Sequence, residues 1–166
     1  MNPDIVEKEV SIVVGIRSAW DLDPDVPGAI LREKVLPRLD EICSTPGNDR
    51  TAIIVFAPIP DDAKGRYELV VGQVCDSLEN IPPGMVGWEL PCGVYAVVKT
   101  SGLLNVYPTY KDAVDRWLPG ARYAPGSGLV VAQSPTIDQL EDPASVWRVN
   151  IQLRNLAEAN PFGDWV

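Results

Sequence analysis

The stretch 93–123, GVYAVVKTSGLLNVYPTYKDAVDRWLPGARY, decides the fold. Gly93 to Lys99 is rich in β-branched and aromatic residues and reads as a strand. Ser101-Gly102 breaks it, a helix follows, and Leu118-Pro119-Gly120 stops the helix. Tyr107, Tyr110, Val114, Trp117 and Leu118 recur at i, i+3, i+7, i+10 and i+11, which is one helical face. Asn105 is placed to cap this helix, and Pro108 is tolerated in its first turn. Such a face is either plain core or the wall of an apolar pocket beside a sheet, and the sequence leaves both open.

Toward the N-terminus, residues 5–17 (IVEKEVSIVVGIR) read as one strand ending at the acidic, proline-rich DLDPDVPG. A helix is expected from about Pro27 to Cys43, with Ile30, Leu31, Val35, Leu39 and Ile42 on one face. After a loop at 44–50, Thr51–Ile59 and Arg66–Asp76 form two strands joined by the turn PDDAKG. In the second of these Tyr67, Leu69, Val71, Gln73 and Cys75 point one way, and Arg66, Glu68, Val70 and Val74 the other. A proline-stiffened connector, 77–84, leads to a strand within 86–100, with a bulge or bend at Pro91-Cys92-Gly93. Beyond the second helix, 119–128 reads as a loop and Leu129–Ala132 as a short strand. Val146–Arg154 is the last strand, with Trp147, Val149, Ile151 and Leu153 toward the core.

The order strand, helix, strand, strand therefore occurs twice, at about 10–76 and 86–155. Neither unit has enough core to stand alone. The expected architecture is α+β: two βαββ-type units forming one curved antiparallel sheet, helices packed on one face, and a ligand cleft at the junction. All of 1–166 is read as a single domain.

Composition narrows the function. With 46% hydrophobic residues the 166-residue chain can bury a core, and it contains no apolar run long enough for a membrane span. The N-terminus lacks a secretion signal pattern, so a cytoplasmic protein with no membrane partner is expected. A net charge of −9 and scattered basic residues argue against direct contact with nucleic acid. The chain has no histidine, which removes imidazole-based catalysis and His-containing zinc sites. Cys43, Cys75 and Cys92 match no disulfide framework or metal pattern and are read as small buried residues in a reducing compartment. No metal site and no cofactor is expected.

VVGIRS (13–18), RYELVV (66–71), LPCGVYAVV (90–98, read as a hairpin strand), KTSG (99–102), YKDAVDRWLPGARY (110–123), SPTIDQL (134–140) and VWRVNIQL (146–153), in this order and spacing, resemble the GyrI-like effector-binding domain. The resemblance covers about nine-tenths of the chain. It implies a small-molecule or multidrug binding fold, found in bacteria as the ligand sensor of AraC- and MerR-type transcription regulators and as a freestanding protein. It also implies a ligand among aromatic side chains in a central cleft, held by a buried acid before the last strand. The matching position here is Asp138. The family's pattern there is Glu with Tyr two residues on; this chain has Asp138 and Leu140 instead. One methylene less and a missing ring weaken the hold on a cation. No residues are left for a helix-turn-helix, so a stand-alone binder is expected.

The candidate ligand-binding residues are thus Asp138, Glu68, Trp88, Tyr95, Tyr107, Tyr110 and Trp20. Trp88 and Tyr95 are placed on a central hairpin where the two halves meet, so the strand carrying Tyr95 takes the pocket role and the second helix becomes chiefly packing support. Trp117 and Trp147 are read as core, and an exposed loop carboxylate is the competing reading of Asp138. The favoured function is binding of an aromatic small molecule, cationic or neutral. Two others stay open: hydrolysis of a strained electrophilic ligand by the carboxylates of Glu68 and Asp138, and a gyrase-inhibitor-like protein interaction. A protein partner or homodimer also stays open, and no catalytic residue is assigned.

Overall fold

The computed structural model describes residues 1–42, 51–134 and 142–155. Its strands are β1 (Asp4–Lys8), β2 (Ser11–Trp20), β3 (Ile53–Pro58), β4 (Tyr67–Cys75), β5 (Val86–Leu90), β6 (Gly93–Ser101), β7 (Tyr123–Gln133) and β8 (Val146–Asn155). They form one antiparallel sheet in the order β1-β6-β8-β7-β3-β4-β2-β5. The α+β class and the curved sheet are as expected from the sequence.

Helix α1 (Val26–Ile30) runs on through a wide π turn at Leu31–Val35 and a tight 3-10 stretch at Leu36–Glu41. Pro37 removes a backbone donor there, and Arg38 leaves helical geometry at φ −113 and ψ 15. Helix α2 (Val106–Asp112) likewise widens at Ala113–Trp117 and ends in the turn Leu118–Gly120, stopped by Pro119. Asn105 does not cap α2 with its side chain; its amide instead donates to the Ser101 carbonyl at 2.6 Å. The wide turn rotates the buried stripe of α2 to Val106, Tyr110 and Ala113, with Tyr107, Val114 and Trp117 partly buried beside it. Among the described residues no helix is long and apolar enough to cross a membrane.

Both helices lie over one face of the sheet, where Val14, Ile54, Phe56, Leu69, Val71, Val130, Trp147 and Val149 form the main core. The central strand β3 is buried on both faces, since Ile53 and Val55 join a second apolar cluster with Val13, Val70, Leu90 and Leu129. That accounts for the unbroken apolar run IIVF, which an alternating half-exposed strand would not show.

The halves meet where β3 pairs with β7, from Ile53 opposite Gln133 to Phe56 opposite Val130. This corrects two expectations. Residues 5–17 are not one strand: β1 pairs with β6 in one half, and β2 pairs with β4 and β5 in the other. Residues 86–100 are not a central hairpin either, because β5 is an edge strand beside β2, while β6 lies between β1 and β8. Pro91 cannot donate to a ladder, and Gly93 adopts φ 144 as the chain crosses over.

These crossovers require curvature. β5 and β6 are six places apart in the sheet, about 29 Å if it were flat. Leu90 and Gly93 are joined by three Cα steps, at most about 11 Å. The sheet must therefore curl until the end of β5 meets the start of β6, and the short link from Lys8 to Ser11 imposes the same closure. β7 is longer than the sequence suggests, because its glycine- and proline-rich start pairs with β8 through a register shift between Pro125 and Val130.

Candidate ligand-binding site

Five rings converge on the helix-covered face above the junction. Trp20 ends β2, Phe56 lies on β3, Tyr67 begins β4, and Tyr107 and Tyr110 stand one turn apart on α2. Tyr107 and Phe56 each touch the other four rings; Tyr107 has ring centroids 5.9 Å from Trp20, 6.3 Å from Phe56, 6.3 Å from Tyr67 and 5.7 Å from Tyr110. Phe56 lies 5.4 Å from Trp20, 5.6 Å from Tyr110 and 6.0 Å from Tyr67, and Trp20 lies 6.2 Å from Tyr67. Most of the pairs are edge-to-face, the arrangement that sets a positive ring edge against a negative ring face.

Burial, and after it the neighbouring Tyr67, pushes the Tyr110 phenol up to about 12 and raises that of Tyr107. Both phenols stay neutral at physiological pH. Any attraction for a cation here comes from ring faces, not from phenolate charge.

The acidic turn after β2 shapes the edge of this cluster. The Trp20 indole N–H donates to the Asp23 carbonyl at 2.8 Å, while the carboxylates of Asp21 and Asp23 accept from the backbone N–H groups of Asp23 and Asp25. Leu22 is held at φ 73, a left-handed conformation costly for a branched residue. The turn sets Leu22, Pro24 and Pro27 opposite Leu103 and Tyr107, and between them lies a cavity of about 140 Å³ floored by Ile54 and Phe56.

Pro24, Leu103 and Leu104 also border a wider groove of about 540 Å³ between the start of α1 and the loop before α2. Asp25, Asp142 and Arg32 reach this groove. Its far wall depends on Gly102, which adopts φ 81 and donates its N–H to the Ser145 carbonyl at 2.7 Å. A Cβ there would lie 3.0 Å from the Pro143 carbonyl oxygen. The site is thus an aryl-sized hole opening into a groove that carries charge.

Of the residues singled out from sequence, Trp20, Tyr107 and Tyr110 are brought together here. Phe56 and Tyr67 are not among the sequence candidates, although the alternation of β4 puts Tyr67 on the face of Leu69 and Val71. Glu68, one residue on, faces the opposite side of the sheet and pairs with Arg17 at 2.7 Å. Trp88 packs on that same side against the second apolar cluster. Tyr95 is also there, 2% exposed, donating its hydroxyl to the Pro91 carbonyl at 2.8 Å. Trp147 is fully buried core and Trp117 is partly buried.

Asp138 and Cys43 lie outside the described residues. Cys75 is buried, whereas Cys92 is exposed on the crossover, against the expectation of a buried thiol. Among the described residues no group of three His, Cys, Asp or Glu side chains is placed to hold a metal ion.

No family model matches the sequence, and no curated protein does. Solved structures match in fold. SAV2435 bound to tetraphenylphosphonium is 12% identical at a TM-score of 0.70, with 95% of this chain and 96% of that one covered. A protein from Staphylococcus aureus MU50 assigned to bacterial transcription regulation is 11% identical at 0.67, covering 93% and 99%. The C-terminal domain of EcmrR is 11% identical at 0.59, covering 93% and 98%. At such identities the likeness shows the shared fold.

Proposed function

We propose that residues 1–166 form a GyrI-like binding domain for an aromatic cationic small molecule. The observation that carries this reading is the five-ring cluster around Tyr107 with the cavity it borders. A cavity of about 140 Å³ suits one aryl group, comparable to cavities known to take up benzene. The adjoining groove takes the rest of the ligand, and among the described residues its two carboxylates, Asp25 and Asp142, outnumber its one cation, Arg32. The overall charge of −9 favours the approach of a cation. At the level of fold, a neighbour that carries tetraphenylphosphonium supports the same ligand class.

Burying one aryl face removes on the order of 150 Å² of apolar surface, worth about 4 kcal/mol at ~25 cal/mol per Å² before ordering costs. A desolvated ring contact to the cation adds roughly 1–2 kcal/mol. Asp138 is assigned as the carboxylate that favours cations over neutral aromatics, and the domain acts in a cytoplasmic drug-sensing or sequestering role. A thermal-shift screen with tetraphenylphosphonium, smaller aromatic cations and neutral aromatics tests this in the wild type and in Asp138→Ala. Stabilisation by aromatic cations, reduced in Asp138→Ala, is expected; indifference to every aromatic compound would refute the reading.

A further inference from the structure

The curl of the sheet leaves a second, partly open cavity, about 340 Å³, on the face away from the helices. Ile53, Val74, Val131 and Asn150 form its floor, and the crossovers at Lys8–Ser11 and Leu90–Pro91 border it. It is separate from the ring cluster, since the strand neighbours of its floor residues, Ile54, Val130 and Ile151, face the helix-covered core.

Asn150 is the informative residue. It is 3% exposed and stands directly opposite Val131 across β7 and β8. Its amide nitrogen donates to the Val131 carbonyl at 2.8 Å and the Arg148 carbonyl at 3.3 Å. Both partners are acceptors, so the amide has one sensible orientation, because reversing it would set oxygen against oxygen. Oδ1 is thereby left buried with no hydrogen-bond partner among the described residues. A buried acceptor left open is costly, and an apolar residue of this size would fit among Ile53 and Val131 without that cost. An open acceptor beside the apolar Ile53, Val74 and Val131, in a cavity that Ser11 and Gln133 also line, has the form of a recognition group.

The rim adds charge. Lys8 is half-buried there, and its ammonium is held below its ordinary range by burial first and by the nearby Arg148 second. Among the described residues Lys8 is the cation that lines the cavity, and a partly desolvated ammonium favours an anion beside it. Glu9, also at the rim, is exposed to solvent.

We propose that this cavity is a second binding site, for a small carboxylate with its own O–H or N–H donor and an apolar body. The donor meets Asn150 Oδ1, the body covers Ile53, Val74 and Val131, and the carboxylate lies at Lys8.

Mandelate is the probe, compared with phenylacetate, which lacks only the hydroxyl, and with mandelamide, which lacks the charge. Amide resonances of Tyr95, Val131 and Asn150 report on this cavity, and the Trp20 indole N–H reports on the other face. The expected result is saturable mandelate binding at the first set only, unaffected by tetraphenylphosphonium. Phenylacetate should bind at least about tenfold more weakly, because it cannot satisfy the buried acceptor. Asn150→Leu should keep the fold and bring mandelate and phenylacetate to within about twofold of each other, a loss of selectivity that a purely structural role would not produce. Lys8→Met should weaken mandelate by about fivefold and leave mandelamide unchanged. Equal binding of mandelate and phenylacetate by the wild type, no binding of either, or shifts confined to Trp20 would overturn the proposal, whatever the variants do.

Discussion

Gly28 offers the sharpest perturbation, because stability and binding should respond differently to the same substitution. It lies in α1, buried against the loop before α2, and lines the groove. A Cβ built there would meet Arg32 Nη1 at 3.2 Å and Leu103 Cδ2 at 3.4 Å, both ends of flexible side chains. The backbone can therefore accept a larger residue. Replacing glycine within a helix gains up to about 1 kcal/mol in propensity, which offsets the small shift asked of Arg32 and Leu103. In Gly28→Leu the new side chain fills the groove where the cavity opens into it.

Tetraphenylphosphonium needs that groove for the aryl groups that do not fit the cavity. Losing even one buried aryl face forfeits roughly 2–4 kcal/mol, or about 30- to 1,000-fold in affinity. Isothermal titration of wild type and Gly28→Leu reads the affinity, and urea unfolding reads the stability. The expected pair of results is an unfolding free energy within about 1 kcal/mol of wild type and affinity reduced at least about 30-fold. A stably folded Gly28→Leu that binds as tightly as wild type would refute the placement of the ligand.

Other consequences follow from the same geometry. Phe56→Ala empties the floor of the ring cluster and should cost about 3–5 kcal/mol in urea unfolding. Gly15→Ala should cost at least about 1–3 kcal/mol, because a Cβ there would lie 2.0 Å from the Val71 carbonyl oxygen on the paired strand β4. The raised Tyr110 phenol makes a stability contribution that is complete below about pH 10, the ordinary tyrosine value, and is lost as the pH rises toward about 12. The urea midpoint should fall across that window in the wild type and fall less steeply in Tyr110→Phe.

Much of this fold could be read from the sequence because local patterns record which face of an element is buried. The stripe Ile30, Leu31, Val35, Leu39 and Ile42 is buried as its spacing predicts, and Trp147, Val149, Ile151 and Leu153 point into the core. Topology was harder. Nothing in IVEKEVSIVVGIR marks Glu9-Val10 as the place where the chain passes from one half of the sheet to the other, since neither residue breaks a strand. Pro91-Cys92 reads equally as a bulge or a turn, and only the closure of the curled sheet shows that it joins strands far apart in the order.

The site was legible in part for the same reason. The helical spacing of Tyr107 and Tyr110 and the place of Trp20 at the end of a strand mark these three as candidates. Their partners Phe56 and Tyr67 depend on where α2 crosses the sheet, which no local pattern encodes. Placing the junction at 86–100 rather than at β3 and β7 moved the expected pocket onto Tyr95. The structure gives the ring cluster to α2, and it gives Tyr95 a different cavity on the other face.

The most direct test of the central claim is to titrate the protein with tetraphenylphosphonium and follow the Trp20 indole N–H and the Tyr107 ring resonances by NMR. Saturable, one-to-one shifts at Trp20, Tyr107 and Tyr110, with Asn150 and Tyr95 unmoved, are predicted. No saturable binding, or shifts centred on Asn150 and Tyr95, would contradict an aromatic-cation site between the helices.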